Sequence, residues 1–137
     1  MIFCLDTDIL IEYFRGDENI KNKLAILSKN DNIGITWLTV YEFFKGIFLS
    51  GKLDEENFLR KLFNTCLILE SSYESAKIGG EIYSSLKRKG QLISDADILI
   101  ASIVKAHKAT LISNNVSHFS RIEGLKVENW LLSNSVP

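Results

Sequence analysis

Residues 93–102 read Ile93-Ser94-Asp95-Ala96-Asp97-Ile98-Leu99-Ile100-Ala101-Ser102 and predict the central helix of the fold. Two carboxylates open this helix, and an apolar run follows them. The apolar positions fall on both sides of the helix, which indicates that it lies inside the molecule. Because a carboxylate at the start of a buried helix usually serves a function, we expect a functional site at the amino-terminal end of this helix.

Short apolar runs alternate with longer segments of 3.6-residue periodicity, a pattern typical of a parallel sheet covered by helices. The predicted strands are Ile2–Leu5, Ile33–Thr36, Cys66–Leu69, Thr110–Ser113 and Lys126–Glu128. The predicted helices are Thr7–Phe14, Asn19–Asn30, Val40–Leu49, Asp54–Phe63, Tyr73–Lys89 and Asp95–Ala106, with a short turn at Val116–Ile122. The expected fold is a three-layer α/β sandwich with a central, mostly parallel sheet, in one domain over residues 1–137.

The composition narrows the class of protein. Of the 137 residues, 46% are hydrophobic, which suffices for one core, but no apolar run approaches the ~20 residues of a membrane span. Met1 is not followed by the basic and apolar segments of a signal peptide. Cys4 and Cys66 lack CxxC spacing and are expected to be buried thiols. We expect a cytoplasmic protein.

The charge balance argues against nucleic-acid binding by overall charge, since the net charge is −1. Any phosphate contact must therefore be local. Lys87-Arg88-Lys89 is the densest basic run, and Lys105 with Lys108 forms another. A solvated helix end is the simpler interpretation of both runs.

Oxygen-bearing side chains follow three of the predicted strands or open the helix after them. Asp6 and Asp8 come after the first strand, Glu42 after the second, and Ser113-Asn114-Asn115 at the end of the fourth. Ligands of open α/β sheets bind beyond the carboxyl ends of the strands. Together with Asp97, these residues predict one oxygen-rich pocket.

Each acid also has a simpler role. Thr39 with Glu42, and Ser94 with Asp97, fit helix capping patterns, and Asp8 suits the start of a helix. Convergence of several junctions favours a shared site instead. Crowded carboxylates raise one another's pKa unless a cation neutralises them, and oxygen ligands suit Mg²⁺ or Mn²⁺. Such a site predicts hydrolysis of phosphodiesters by a metal-activated water.

Other side chains are given structural roles. His107 and His118 are eleven residues apart, so surface positions are favoured over metal ligation. The aromatic residues of the third helix are expected in the core: Tyr41, Phe43, Phe44 and Phe48.

An ordered set of segments carries a family resemblance: Leu5–Ile11, Thr39–Glu42, Asp97–Ala101, Ser113–Phe119 and Gly124–Trp130. With them the chain resembles the PIN-domain ribonucleases, in particular the VapC-type toxins of prokaryotic toxin–antitoxin pairs. The resemblance implies Mg²⁺- or Mn²⁺-dependent cleavage of single-stranded RNA. It also implies a small antitoxin protein as partner, and a homodimer.

The resemblance assigns site residues by position. It implies that Asp6, Glu42 and Asp97 bind the metal and that Asn115, or alternatively Asn114, occupies a fourth position. At this position the family often has Asp. The amide removes one negative charge, so the site for a second metal ion is expected to be weak or empty. Asp95, Ser113 and Asp8 are then accessory residues. Candidates for guiding the RNA backbone are Arg15, Lys45, Lys87, Arg88 and Lys89.

Two other classes compete with this interpretation. Asp6-Thr7-Asp8 after a strand is also similar to phosphoaspartyl phosphatases of the haloacid dehalogenase type. Those usually have Thr or Val where this chain has Leu10, and the chain has no length for their cap domain. A non-catalytic RNA-binding or interaction module on the same fold is the third class. Metal-dependent RNA cleavage would separate the three.

Overall fold

The computed structural model describes residues 1–131 and contains a five-stranded, wholly parallel sheet. The last six residues of the predicted domain, 132–137, lie outside the described residues. The strands are β1 (Ile2–Leu5), β2 (Asn32–Thr36), β3 (Leu67–Leu69), β4 (Thr110–Ile112) and β5 (Val127–Glu128). Their order across the sheet is β3-β2-β1-β4-β5, so β1 is central. The predicted α/β class and parallel sheet are confirmed.

Within residues 1–131, seven α-helices accompany the strands. They are α1 (Thr7–Phe14), α2 (Glu18–Ala25), α3 (Trp37–Ser50), α4 (Glu56–Thr65), α5 (Tyr73–Arg88), α6 (Asp95–Ala106) and α7 (Val116–Phe119), with a 3₁₀ turn at Leu53–Glu55 before α4. The bounds of α6 agree with the prediction residue for residue. None of the helices within residues 1–131 is long and apolar enough to cross a membrane.

Two separate cores lie on the two faces of the sheet, which is the three-layer arrangement predicted. Alternate side chains of a strand point to opposite faces. Thus Cys4 of β1 and Leu111 of β4 belong to the core under α5 and α6. Phe3 of β1 and Ile112 of β4 belong to the core under α1, α3 and α4. Covering both faces explains why the strands read as continuous apolar runs.

The observed bounds of α3 and α2 differ from the predicted ones for identifiable reasons. Helix α3 begins three residues before the predicted start because Thr36, not Thr39, is its N-cap: the Thr39 backbone N–H donates to Thr36 Oγ1 at 3.2 Å. Helix α2 ends at Ala25 and not at Asn30. A turn closed by Asp31 follows, in which Asp31 Oδ2 accepts from the backbone N–H of Ser28 at 3.0 Å.

The expectation that Tyr41, Phe43, Phe44 and Phe48 of α3 all belong to the core is wrong for two of them. Phe43 and Phe44 pack against the core, but Tyr41 is 60% exposed and Phe48 is 67% exposed. Helix α3 therefore presents an apolar outer face to its surroundings.

Candidate functional site

Asp6 lies where β1 meets α1, at the carboxyl end of the central strand. Its backbone N–H donates to the carbonyl of Ile112 at 2.9 Å, which extends the pairing of β1 with β4. Its Oδ1 accepts from the Thr7 backbone N–H at 2.9 Å and caps α1. Its Oδ2 accepts from the Ser113 hydroxyl, also at 2.9 Å. The carboxylate is thus held in one orientation between two strands.

Asp8 supplies a second carboxylate from the first turn of α1. Its Oδ1 accepts from the Ile9 backbone N–H at 2.7 Å, and its Oδ2 accepts from the Asn114 backbone N–H at 3.0 Å. The turn after β4 therefore binds both acids, Asp6 through the Ser113 side chain and Asp8 through the backbone. This cross-strand contact joins residues more than a hundred positions apart in the chain.

Asp97 comes to the same place from α6. Its backbone N–H donates to Ser94 Oγ at 3.2 Å, so the predicted N-cap of this helix is confirmed. Its carboxylate Oδ2 lies 3.8 Å from Nδ1 of His118. Helices α1 and α6 thus both begin at this edge and both carry acids in their first turn.

The neighbouring carboxylates disfavour the ionisation of Asp6 and Asp8. Burial raises the pKa of Asp6 to about 6, the neighbouring charge of Asp8 adds to this, and the charge of Asp97 contributes a smaller part. Burial also raises the pKa of Asp8, again with a contribution from Asp97. Hydrogen bonds to both acids offset part of the shift. The edge is therefore a place where a positive charge would be stabilised.

Cys4 lies directly before this site in β1 and is fully buried. Burial, followed by the charge of Asp6, raises the pKa of its thiol well above the usual range. Neither Cys4 nor Cys66 forms a disulfide. Cys4 is thus a neutral core side chain and not a thiolate ligand.

The turn after β4 links the acids through Asn115 and His118. The Asn115 backbone N–H donates to Ser113 Oγ at 2.9 Å, and Asn115 Nδ2 lies 2.9 Å from His118 Nδ1. A neutral imidazole accepts a hydrogen bond in this geometry. Hydrogen bonds and the His118 contact with Asp97 therefore form a continuous path from Asp6 to Asp97.

The side chain of His118 is 44% exposed on α7, as predicted, but the sequence analysis did not connect this residue with Asn115 and Asp97. The spacing of His118 from His107 in the sequence does not indicate which residues His118 contacts in the fold. The useful signal was its position three residues after Asn115 in a short helix, because residues three apart share a helix face.

Asn114 and Asn115 have different surroundings. The Asn114 side chain is directed to Asn129, whose Nδ2 donates to Asn114 Oδ1 at 2.9 Å. Only the backbone of Asn114 contacts an acid, while the Asn115 side chain lies beside His118. The geometry therefore favours Asn115 over Asn114 as the fourth site residue.

Two predicted site residues make no such contact. Glu42 is half-buried on α3, one turn after Thr39, whose hydroxyl lies 3.5 Å from that of Thr7. Within residues 1–131, no hydrogen bond or ion pair connects Glu42 or Asp95 to the other acids. Asp95 is exposed in the first turn of α6. The structure thus brings together Asp6, Asp8 and Asp97, and within residues 1–131 it shows no such link for Glu42 or Asp95.

A divalent cation with oxygen ligands fits this donor set in part. Within residues 1–131, no three His, Cys, Asp or Glu side chains lie together in an arrangement that could hold a metal ion. Mg²⁺ does not require three such side chains, because it is bound through one or two carboxylates and keeps several waters. Zinc sites, by contrast, need three or four close nitrogen, sulfur or oxygen ligands.

The predicted RNA-contacting residues occupy different surroundings. Arg15 is ion-paired with Glu12 at 2.9 Å and lines an open cavity of about 520 Å³ next to Asp8 and Asn114. Lys45 and Lys87 lie over the rings of Tyr41 and Tyr83, at 5.4 and 5.7 Å. Arg88 and Lys89 are exposed where α5 ends. Of the five, Arg15 has the clearest position beside the acids.

The chain matches the PIN domain family over residues 3–125 and belongs to that family. This confirms the resemblance on which the site assignment depends. The chain is 34% identical to Ribonuclease VapC2 of Rickettsia felis over 132 residues, which cover 95% of this chain and 98% of the relative. It is 32% identical to Ribonuclease VapC2 of Haemophilus influenzae over 138 residues, covering 94% of this chain and 98% of the relative.

A solved structure shares the fold over nearly its full length. The crystal structure of VapBC2 from Rickettsia felis, bound to a DNA fragment from its promoter, contains a chain that superposes with a TM-score of 0.87 at 32% identity. The superposition covers 95% of this chain and 99% of that one. The PIN fold is thus supported independently of the motifs.

Proposed function

We propose that this protein is a Mg²⁺- or Mn²⁺-dependent endoribonuclease that cleaves single-stranded RNA, as the toxin of a toxin–antitoxin pair. The observation that carries the proposal is the partly buried carboxylate cluster of Asp6, Asp8 and Asp97 at the carboxyl end of the sheet. The VapC ribonucleases among its relatives support it.

Asp6 and Asp97 would hold the cation, with Glu42 as a third ligand from α3. A bound divalent cation would lower the pKa of the attacking water and neutralise charge on the phosphate. Ser113 keeps Asp6 oriented by donating to Oδ2, which leaves Asp6 ready to bind without rearranging. Outer hydrogen bonds of this kind commonly tune metal affinity.

The open cavity next to Asp8 offers a path for the substrate. Arg15 and Asn114 line it together with Asp8, so a phosphate placed there would have a guanidinium close to the acids. The Arg15 side chain would have to exchange its ion pair with Glu12 for the phosphate. Surface pairs of that kind are weak, so the exchange costs little.

RNA cleavage by the purified protein tests the proposal. We expect Mg²⁺-dependent internal cleavage of a single-stranded RNA, abolished by chelation and nearly abolished by Asp97→Asn. The exposed Asp95 gives the matched control, Asp95→Asn, at the start of the same helix. A folded protein that binds RNA without cleaving it under any divalent metal would instead be the non-catalytic module.

The phosphatase alternative has a separate test. A phosphoaspartyl enzyme would use one carboxylate oxygen of Asp6 as the nucleophile and would form a covalent phosphoaspartate. The protein should release no phosphate from small phosphomonoesters. Trapping of a phosphorylated Asp6 would contradict the nuclease assignment.

The apolar outer face of α3 and α4 supports an antitoxin as partner. A groove of about 220 Å³ between these helices is lined mostly by apolar side chains: Trp37, Val40, Phe44, Leu59 and Phe63, with Glu56 and Arg60. Tyr41 and Phe48 are exposed on the same helix α3. Exposed apolar patches of this kind mark protein interaction sites. Phe48→Ser should weaken a complex with the antitoxin and leave RNA cleavage intact.

We also infer a homodimer and a cytoplasmic location. Trp37 and Leu99 are each 44% exposed and line a second apolar cavity of about 260 Å³, which gives a self-association surface. The two free cysteines suit a reducing compartment. Light scattering of the purified chain, compared with Leu99→Asp, tests the dimer.

A further inference from the structure

A second charged site lies at the opposite edge of the sheet from the carboxylates. At the amino ends of β4 and β5 is a cavity of about 290 Å³, which we call the lysine groove. It is lined by Lys105, Lys108, Ala109, Gly124 and Lys126. The sequence brought only Lys105 and Lys108 together. The fold adds Lys126 because β5 pairs with β4.

The three lysines of the groove have no carboxylate partner. No side chain lining the groove is acidic, and within residues 1–131 none of these lysines belongs to an ion pair. An adjoining cavity that shares Lys105 contains Arg121 with Glu81 and Glu123, where positive and negative side chains balance. Gathered ammonium groups repel one another, and an anion would relieve this.

Lys105 is held in place at the groove. Its Nζ donates to the backbone carbonyl of Glu123 at 3.0 Å and lies 3.5 Å from where a Cβ of Gly124 would be. Its ammonium is therefore positioned by backbone contacts and keeps two further donors.

Lys108 occupies a strained backbone position. It has φ 55° directly after the end of α6, and its N–H donates to the Lys105 carbonyl at 3.0 Å. This left-handed position favours glycine. The other positive-φ positions of the described chain are all glycines: Gly16, Gly51, Gly90 and Gly124. A lysine where glycine would be less strained indicates that its side chain has a use.

We propose that the lysine groove binds the phosphodiester backbone of single-stranded RNA at a distance from the catalytic acids. The identity of the ligand rests on the function proposed above. Lys108 precedes β4 and Asn114 follows it. Extended chain between these two residues would span about 20 Å at ~3.3 Å per residue. A short RNA in the catalytic cavity would not reach the groove, whereas a long RNA would. The groove would therefore add affinity for longer RNA.

The test compares RNA binding by two double variants with the same change in charge. Lys108→Gln/Lys126→Gln removes two groove lysines. Lys52→Gln/Lys61→Gln removes two exposed lysines near α3 and α4, neither of which is ion-paired within residues 1–131. Fluorescence anisotropy with a chelator present measures binding without cleavage. The probes are RNAs of about 4 and about 20 nucleotides, within and beyond the usual range of a single-strand site.

We expect the groove variant to bind the long RNA about 5-fold more weakly per lysine removed at 0.1 M salt, and to show a salt dependence reduced by ~0.7 per lysine. Binding of the short RNA should weaken less, because it cannot bridge the groove and the catalytic cavity, and neither RNA should bind the control variant differently. Equal loss in both double variants, or unchanged binding of the long RNA, would overturn the groove assignment. Cleavage of the short RNA by the wild-type protein reports separately on the proposed nuclease.

Lys108→Gly separates a functional lysine from a structural one. Glycine relieves the strained φ, so the variant should melt at a higher temperature while binding long RNA more weakly. A structural lysine would give the first change without the second. Competition with inorganic phosphate and with polyglutamate identifies the source of the anion. If polyglutamate competes as well as RNA at equal charge, the groove is a site for an acidic protein and the RNA proposal is wrong.

Discussion

The two edges of the sheet carry opposite charges for related reasons. The charged groups at the two edges differ in burial and in hydrogen bonding. Helix α6 begins with Asp97 at one edge and ends near Lys105 and Lys108 at the other, as its dipole favours. The acids, however, are partly buried and fixed by hydrogen bonds, and their pKa values are raised. Lys108 and Lys126 are exposed, and within residues 1–131 none of the groove lysines is ion-paired. The dipole of α6 explains the sign of the charge at each edge. The candidate catalytic edge is distinguished by carboxylates that are partly buried although burial disfavours their ionised forms.

The largest effect on RNA cleavage is expected from a substitution of Asp97 at the carboxyl edge. Asp97→Asn should lower RNA cleavage by at least about 100-fold, because losing a metal ligand removes several kcal/mol of transition-state stabilisation. Asp95→Asn should cost less than about tenfold, since Asp95 is exposed and contacts no other acid. Single-turnover cleavage rates measure both. If the two losses came in the reverse order, the assignment of this helix start would be wrong.

The next effect concerns pH and Asp6. Because its pKa is raised from 3.8 to about 6, folded metal-free protein binds this proton more tightly than unfolded protein does. Stability from this group is therefore present below pH 4 and is lost as pH rises through about 6. After allowance for partial solvation, we expect a loss of about 1–2 kcal/mol.

The measurement is the difference between wild type and Asp6→Asn in thermal melts with a chelator. Wild type should lose stability relative to the variant between pH 4 and pH 6.5. Metal affinity of the wild type should fall over the same range as pH decreases, because protons compete for Asp6. A constant stability difference across this range would show that Asp6 titrates normally.

Much of this comparison was predictable, and the limits have physical causes. The meeting of Asp6 and Asp97 at one edge was predictable because Asp6 directly follows a strand of a parallel sheet and Asp97 lies in the first turn of the buried helix α6. The contact of Asp6 with Ser113 depends on β4 pairing with β1, which local periodicity does not encode. The same holds for Lys126 joining the lysine groove. Tyr41 was misassigned because an apolar pattern does not distinguish a core from a partner-binding face.

A smaller effect is expected when one more negative charge is added at the carboxyl edge. Asn115→Asp adds a carboxylate beside His118 and Asp97, so it should tighten Mn²⁺ binding and allow a second ion. Asn114→Asp is the matched control, because the Asn114 side chain is directed to Asn129. Calorimetric titration of Mn²⁺ gives affinity and stoichiometry. A gain in the Asn114 variant alone would transfer the fourth position to that residue.

The smallest effect tests the link between Asn115 and His118. His118→Phe removes the acceptor that orients the Asn115 amide and should lower cleavage by several-fold. His118→Asn places an oxygen near the former Nδ1 and should restore most of the activity. Melting temperatures of both variants control for folding. Equal activity of the two variants would show that the hydrogen bond does not matter for cleavage.

The account's central claim is that the carboxyl edge binds the divalent metal. Titration of Mn²⁺ followed by backbone amide NMR tests it most directly, because the paramagnetic ion broadens only nearby signals. We predict that amide signals of Thr7, Ser113 and Asn115 disappear first, while those of Lys108, Ala109 and Lys126 persist. This selectivity should be lost in Asp6→Asn. Broadening first at the amino edge, or uniform broadening at both edges, would contradict the claim.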